Sequence, residues 1–252
     1  MRTADGRFSI INAPPEYAGS GPGQGTEPGN INSAGVVWGN TVDSGGAMHG
    51  FLSTPDGKLT IVDVTGAGSG NGQGTSAEWA SCINSAGEVT GTYVDSDNMA
   101  HGFIRTPDGA ITDINVSGAS QGTYAWSINV EGAVTAEYVT SDGVAHGYVR
   151  TPEGFIIPFN APGAGDGSGQ GTIGEGNNSA GVVAGNYIDG SGVNHGFLRS
   201  PDGVFTYIDA PDAGQGAGQG TIPLTISDAG AATGVYIDSG GASHGILVLP
   251  MR

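Results

Sequence analysis

The chain has 252 residues, a length that suits one large all-β domain or two smaller domains. Its 49 glycines and 13 prolines interrupt the sequence too often for long helices, and no apolar run reaches the roughly 18 residues of a transmembrane helix. Seven basic residues stand against 24 acidic ones, a net charge of −17. Because phosphate binding needs a basic patch, we expect no nucleic-acid partner and no membrane surface.

A His-Gly pair recurs five times along the chain, and each pair is followed by an apolar residue. The five histidines are His49, His101, His146, His195 and His244, at spacings of 52, 45, 49 and 49 residues. Six residues before the histidine stands an aspartate in four copies and a threonine in the third: Asp43, Asp95, Thr140, Asp189 and Asp238. Such self-similarity indicates a repeat architecture.

Each copy of the repeat is predicted to form four short strands joined by Gly-rich turns. In the third copy we predict them at residues 124–128, 133–139, 146–150 and 155–160. Four strands in a repeat of this length favour a β-propeller over a sandwich or barrel. We therefore predict an all-β fold, a five-bladed β-propeller of four-stranded antiparallel blades. The blades are expected at about 24–63, 73–115, 121–160, 170–210 and 219–250.

The two ends of the chain complement each other in this scheme. Residues 3–11 match the turn and fourth strand of other copies, whereas the last copy ends after its third strand. We expect residues 6–12 to pair with the C-terminal blade, which closes the ring without an unpaired edge and makes residues 1–252 one domain. Because the longest connection follows the fourth strand, we place the first strand of each blade at the axis.

The recurring histidines raise the question of a metal site. Strands lie about 4.8 Å apart, so the third strand is roughly 10 Å farther from the axis than the first. A zinc ligand needs its nitrogen about 2.1 Å from the ion, so the five histidines cannot share one metal. We expect them to hydrogen-bond to the aspartates across the turn in a structural role. A divalent metal in individual blades, zinc or calcium, stays the alternative, and the sequence requires no cofactor.

Positions where one blade differs from the others mark candidate functional residues, because blade geometry does not need them. In blades one to four these positions are expected near the axis: Glu27, Glu78, Trp79, Tyr124, Trp126, Glu137 and Glu175. Aromatic rings beside carboxylates suit sugar binding, a role predicted for Glu27, Glu78, Trp79, Tyr124 and Trp126. Glu137 and Glu175 are the candidate catalytic pair, since two carboxyls at a suitable separation cleave glycosidic bonds. Alternatively, these side chains only fill the axial channel.

The second copy contains Asn84-Ser85-Ala86-Gly87, then Tyr93-Val94-Asp95, then His101-Gly102-Phe103. It resembles the HAF repeat of bacterial extracellular proteins, with glycine in place of the middle alanine, and the resemblance covers essentially the whole chain. It implies a secreted or periplasmic protein. Because residues 1–5 lack the pattern of a signal peptide, we expect that one has been removed from the sequence. The resemblance implies no substrate.

These observations predict a monomeric, lectin-like extracellular module. We expect it to bind a polar small molecule or glycan on its top face, where the crossover loops and the loops between second and third strands lie. The first alternative is a hydrolase or lyase acting on glycoside or phosphoester substrates through the axial carboxylates or a His-bound metal. The second is a non-catalytic interaction scaffold.

Overall fold

The computed structural model describes residues 9–77 and 82–250. In these residues the protein is all-β, with twenty strands in two hydrogen-bonded sheets and no helix. Accordingly, none of the described segments is a helix long and apolar enough to cross a membrane. The described chain forms two compact bodies: the N-terminal body (9–77 and 93–99) and the C-terminal body (82–92 and 100–250).

The N-terminal body contains the first repeat as a four-stranded antiparallel meander. Its strands are β1 (Gly25–Ile31), β2 (Val37–Val42), β3 (Met48–Ser53) and β4 (Leu59–Val62), followed by the short β5 (Gly74–Ser76). Gly74 of β5 forms a parallel bridge with Met48 of β3. Trp38 and Phe51 are fully buried and form the centre of this meander.

The C-terminal body repeats the same meander. From the second repeat come β6 (Val89–Val94), β7 (Ala100–Arg105) and β8 (Ile111–Ile114), and from the third β9 (Gly122–Thr123), β10 (Ser127–Ile128), β11 (Val134–Val139), β12 (Ala145–Arg150) and β13 (Ile156–Phe159). The fourth has β14 (Gly171–Asn177), β15 (Val183–Ile188), β16 (Asn194–Arg199) and β17 (Phe205–Tyr207), and the fifth β18 (Gly220–Ile226), β19 (Ala232–Ile237) and β20 (Ser243–Val248). β6 has its first four residues in this body. Single parallel bridges link the third strand of one repeat to the first strand of the next, Ala145 to Gly171 and Asn194 to Gly220.

One prediction about the strands needs correction, and another stays a prediction. The strand predicted at 124–128 is interrupted, because β9 and β10 leave residues 124–126 outside regular pairing. Residues 9–12 form no strand, and the remainder of the predicted N-terminal strand, residues 6–8, lies outside the described residues. Among the described strands β20 pairs with β19 alone, so the structure does not show the predicted closure of the ring.

Buried asparagines connect consecutive repeats of the C-terminal body. The amide nitrogen of each donates to the backbone carbonyl of its counterpart in the next repeat: Asn84 to Asn129 at 3.0 Å, Asn129 to Asn178 at 2.9 Å, and Asn178 to Ser227 at 3.1 Å. The Oδ1 atom of the same side chain accepts a backbone N–H four residues later. The turn that begins at each asparagine is therefore closed by the same side chain that binds the following repeat. We call this series the asparagine ladder.

A glutamine closes each Gly-rich crossover that enters a first strand. In the crossover before β18, Gln219 accepts the N–H of Gly216 at 2.8 Å and donates Nε2 to the carbonyl of Ser239 at 3.2 Å. A Cβ atom on Gly214 would lie 2.2 Å from Oε1 of the same glutamine. The same Cβ atom would lie 2.8 Å from the backbone carbonyl carbon of Asp238, so Gly214 is required by the close approach of that backbone.

Candidate functional site

The histidines lie between polar side chains supplied by flanking strands and turns. His195 shows the full pattern: Nδ1 is 2.9 Å from Oδ2 of Asp209, and Nε2 is 3.4 Å from Oδ2 of Asp189. The ring also stacks on Tyr187 at 4.8 Å between centroids. The corresponding distances are 2.9 Å to Asp63 and 3.6 Å to Asp43 for His49, and 2.8 Å to Asn160 and 3.3 Å to Thr140 for His146.

The predicted hydrogen bond across the turn is therefore made by His195 with Asp189 and by His244 with Asp238, the latter at 2.9 Å. In the third repeat the Thr140 hydroxyl takes the place of the aspartate, and the 3.6 Å between His49 and Asp43 exceeds a hydrogen bond. The second partner, 14 residues after the histidine, was missed from the sequence. Its signal is the recurrence of an aspartate or asparagine there: Asp63, Asn115, Asn160 and Asp209. His101 has such a partner in Asn115, at 2.8 Å.

The turn aspartates use their two oxygens differently. Oδ1 of Asp189 accepts the N–H groups of Ser191 and Val193 at 2.8 and 2.9 Å, while Oδ2 faces the histidine. Asp43, Asp95 and Asp238 cap their turns in the same way. The Val193 N–H is the strongest cause that lowers the pKa of Asp189. All four carboxylates are therefore turn caps, and those of Asp189 and Asp238 also hydrogen-bond an imidazole.

The charge state of His195 follows from these neighbours. Burial lowers the pKa of the imidazole, but the hydrogen bonds and charges of Asp209 and Asp189 outweigh burial, so the pKa is raised.

Within the described ranges, no group of three or more His, Cys, Asp and Glu side chains is placed to hold a metal ion. The calcium or zinc ion of the sequence analysis stays a prediction.

The candidate residues near the predicted axis come from a bulge that recurs in the first strand. One extra residue interrupts the pairing at Gly29 in β1, Glu175 in β14 and Leu224 in β18. In the third repeat Trp126 occupies this position, between β9 and β10. A bulge bends the strand and redirects a side chain, and it carries a different residue type in each of these four repeats.

Tyr124, Trp126 and Glu137 come together in the third repeat. The Tyr124 and Trp126 rings are stacked, with centroids 5.5 Å apart and planes at 4°. The Trp126 indole N–H donates to Oε2 of Glu137, and the Tyr124 backbone N–H donates to the Glu137 carbonyl at 3.0 Å. Because Glu137 is only 8% exposed and holds the indole, it acts as the support of the aromatic pair.

Glu175 lies on the strand beside this pair. The Oγ of Ser127, next to Trp126, donates to Oδ1 of Asn177 at 3.0 Å, which joins β10 to β14 two residues from Glu175. Burial raises the pKa of the Glu175 carboxyl to about 7. Within residues 9–77 and 82–250 its side chain has no hydrogen bond or ion pair. A half-buried carboxyl without a partner therefore lies on the strand that adjoins the aromatic stack.

The structure describes only one of the remaining candidates. Glu27 lies in the N-terminal body, exposed, and accepts the amide of Asn40 at 3.3 Å. Glu78 and Trp79 lie outside the described residues. The site that the structure supports therefore consists of Tyr124, Trp126, Glu137 and Glu175, which we call the aromatic–carboxyl site.

A buried amide next to this site was not anticipated. Asn186, opposite Ile173 of β14, is 2% exposed, and within the described chain its Oδ1 has no hydrogen-bond partner. In the second repeat the equivalent Thr92 accepts the backbone N–H of Ala125 at 3.3 Å. The position equivalent to Ala125 in the fifth repeat is Pro223, which has no N–H to donate. The proline at this position of the fifth repeat is visible in the sequence and could have indicated the unsatisfied amide.

No protein-family model matches the chain, and no curated protein matches it significantly. The HAF resemblance therefore stays a prediction. Two solved structures are similar over most of its length. Selenomethionine-substituted virginiamycin B lyase from Staphylococcus aureus has a TM-score of 0.44 and 14% identity, covering 87% of this chain and 83% of that one. A catalytically inactive form of that lyase with quinupristin gives 0.42 and 16%, covering 88% and 85%.

Proposed function

We propose that the protein binds a polar small molecule or a glycan at the aromatic–carboxyl site. The observation that supports this most directly is the Tyr124–Trp126 stack, held by Glu137 beside the unpaired carboxyl of Glu175. A fixed aromatic surface loses little conformational entropy when a ring packs on it. A few convergent polar groups then set the orientation of the ligand.

The binding proposal is tested by screening the purified protein against a glycan array and a panel of neutral saccharides. Binding measured by calorimetry should fall at least tenfold in Trp126→Ala, because the stacking surface is removed. Tyr207→Ala is the matched control, since Tyr207 is an exposed aromatic of the fourth strand β17, outside the site. Equal loss in both variants, or binding that Trp126→Ala leaves unchanged, would contradict the proposal.

A second candidate function is acid–base catalysis, as in a hydrolase or lyase of glycosides or phosphoesters. It is favoured by the Glu175 carboxyl, whose pKa burial raises to about 7, since a general acid or base works best near the operating pH. Glu137 suits a supporting role better, because it accepts the Trp126 indole N–H. A turnover screen on such substrates, with and without chelator, should show activity that Glu175→Gln abolishes. Activity retained in that variant would exclude this role for Glu175.

The frame of the site is proposed to be the five-bladed ring closed by residues 6–12. Asn12 stands where other fourth strands carry Asn160 and Asp209, the partners of His146 and His195. The edge of β20 is exposed, and the His244 side chain is 43% accessible against 20% for His195.

The register of this closure can be tested by cross-linking. Leu198 pairs with Thr206 in the fourth repeat, so Leu247 is expected opposite Ser9. A Ser9→Cys/Leu247→Cys variant should form a disulfide within one chain under oxidation, whereas a Ser9→Cys/Leu249→Cys control should not. Equal cross-linking in both variants, or none in either, would reject this register.

A secreted or periplasmic location and a monomeric state belong to the same proposal. The location rests on the HAF resemblance. The monomeric state rests on the net charge of −17, because a net charge far from zero opposes self-association. Cell fractionation and light scattering test them. Recovery in the cytoplasmic fraction, or a mass well above 25.0 kDa, would contradict them.

A further inference from the structure

Three neighbouring first strands of the C-terminal body present their bulge residue at the same position of the repeat. These residues are Trp126, Glu175 and Leu224, which we call the bulge row. The Ser127–Asn177 hydrogen bond joins the first strand pair at 3.0 Å. On the other side, a Cβ atom on Gly176 would lie 3.1 Å from the Leu224 carbonyl oxygen, so β14 and β18 are in backbone contact. The row is therefore an aromatic ring, a carboxyl and a leucine in succession.

The flanks of the carboxyl are apolar and accessible. Leu224 is 42% exposed, although it lies among buried residues of β18. Trp126 is half-buried and is fixed by its bond to Glu137. The strand that carries Glu175 therefore lies between a strand that carries an indole and a strand that carries an exposed leucine.

The cationic side chains of the C-terminal body are engaged elsewhere. Nη1 of Arg105, Arg150 and Arg199 donates to the backbone carbonyl of the following residue, at 3.1, 3.1 and 3.3 Å. All three stand at the turn between the third and fourth strands, and Arg199 also lies 4.8 Å from the centroid of Phe159. In the described chain the Glu175 carboxyl therefore has no cationic partner of its own.

We infer that the ligand of this site is an amphipathic organic cation, whose protonated amine pairs with Glu175 while its apolar groups contact Trp126 and Leu224. This rests on the proposed binding function and narrows its ligand class. Indole faces attract cations, and the net charge of −17 raises the local concentration of cations. A cation also supplies the opposite charge that favours the ionised form of a buried carboxyl.

The inference is tested with three probes of similar shape: 2-phenylethylammonium, 2-phenylethanol and 3-phenylpropionate. Their binding is measured by calorimetry or saturation-transfer NMR at pH 8. We expect the ammonium probe to bind at least tenfold more tightly than the alcohol, and the carboxylate to bind least. Glu175→Gln should remove the preference for the ammonium probe. The control Glu153→Gln, an exposed turn carboxylate, should keep it.

A second variant covers the case in which Glu175→Gln fails to fold. Leu224→Lys places a lysine on the strand beside Glu175. Because its ammonium group competes for the carboxyl, the affinity for the ammonium probe should fall at least tenfold. Equal affinity of ammonium and alcohol, or a preference unchanged in the folded variants, overturns the inference. If neutral saccharides bind through Trp126 without such a preference, only the cation inference fails. If neither probes nor saccharides bind, the proposed function fails as well.

Discussion

The unpaired carboxyl of Glu175 should reduce the stability of the folded protein at neutral and alkaline pH. Burial raises its pKa from 4.5 to about 7, a difference of about 2.5, and each pKa unit corresponds to about 1.4 kcal/mol. Between these two values the folded state binds the proton more tightly than the unfolded state, so the free energy of unfolding falls as the pH rises. Above pH 7 the ionised carboxyl therefore costs the folded state about 3 kcal/mol.

Glu175→Gln keeps the shape of the side chain and removes the charge. At pH 8 the variant should be more stable than the parent by up to about 3 kcal/mol. For a chain of this size that corresponds to a Tm higher by roughly 6–12 °C. At pH 4 the carboxyl is protonated in both states, so the two proteins should unfold at the same temperature. Thermal unfolding followed by circular dichroism or calorimetry at both pH values measures the difference.

Glu153→Gln is the control for this experiment. The Glu153→Gln substitution removes the same charge from the chain. Glu153 lies in an exposed turn, where the Thr151 hydroxyl lowers the pKa of its carboxyl by hydrogen bonding. This control should not be stabilised at pH 8. A Tm gain of Glu175→Gln that is equal at pH 4 and pH 8 would refute the reasoning, since it would not come from the charge.

Three further predictions concern the scaffold. Asn129→Ser should destabilise the protein by about 1–2 kcal/mol, because the turn keeps its cap and only the ladder bond is lost. Asn129→Ala should destabilise it by about 2–3 kcal/mol, because both are lost. Equal free energies of unfolding of the two variants in urea would contradict separate contributions of cap and ladder bond. Gly176→Ala places a Cβ atom 2.9 Å from a backbone carbon of β18 and should lower the free energy of unfolding by about 1–3 kcal/mol. Gly190 has open space around it, so Gly190→Ala should leave the stability nearly unchanged. Equal Tm shifts in the two variants would be inconsistent with this packing. Asp189→Asn should lower the pKa of His195 in an NMR titration, because a carboxylate charge is removed. The stability supplied by this imidazole is complete below the unfolded value of 6.5 and is lost as the pH rises through the raised folded value, so the variant should lose stability at pH 5 more than at pH 9.

The repeat made most of the strand pattern predictable. In the third copy, the strands expected at 133–139, 146–150 and 155–160 are β11, β12 and β13, because alternation and turn residues act locally. The break at 124–126 was not predictable from the same signals. It depends on one extra residue opposite β11, and the bulge changes pairing without changing the residue types around it.

The candidate site was found through departures from the repeat, but the roles of its members needed coordinates. Glu137 and Glu175 look alike in sequence, yet one supports an indole and the other has no partner among the described residues. This distinction depends on which side chains the fold brings within hydrogen-bond distance of each carboxyl. The aspartate or asparagine partners 14 residues after the histidines were missed for a different reason, since they recur regularly and the candidate residues are departures from the repeat.

The asparagine ladder also bears on how such a chain can grow. Each rung takes its donor and its acceptor from the same position of the repeat, so neighbouring copies are joined by an identical pair of groups. A duplicated copy placed between the third and fourth would find a carbonyl on one side and an amide on the other. Insertion of a whole copy therefore replaces one ladder bond with two of the same kind, whereas insertion of a fragment without the asparagine breaks the bond between the third and fourth copies. The series ends at Ser227, whose hydroxyl accepts the Ala231 N–H within its own turn, so the final copy is marked by a shorter side chain.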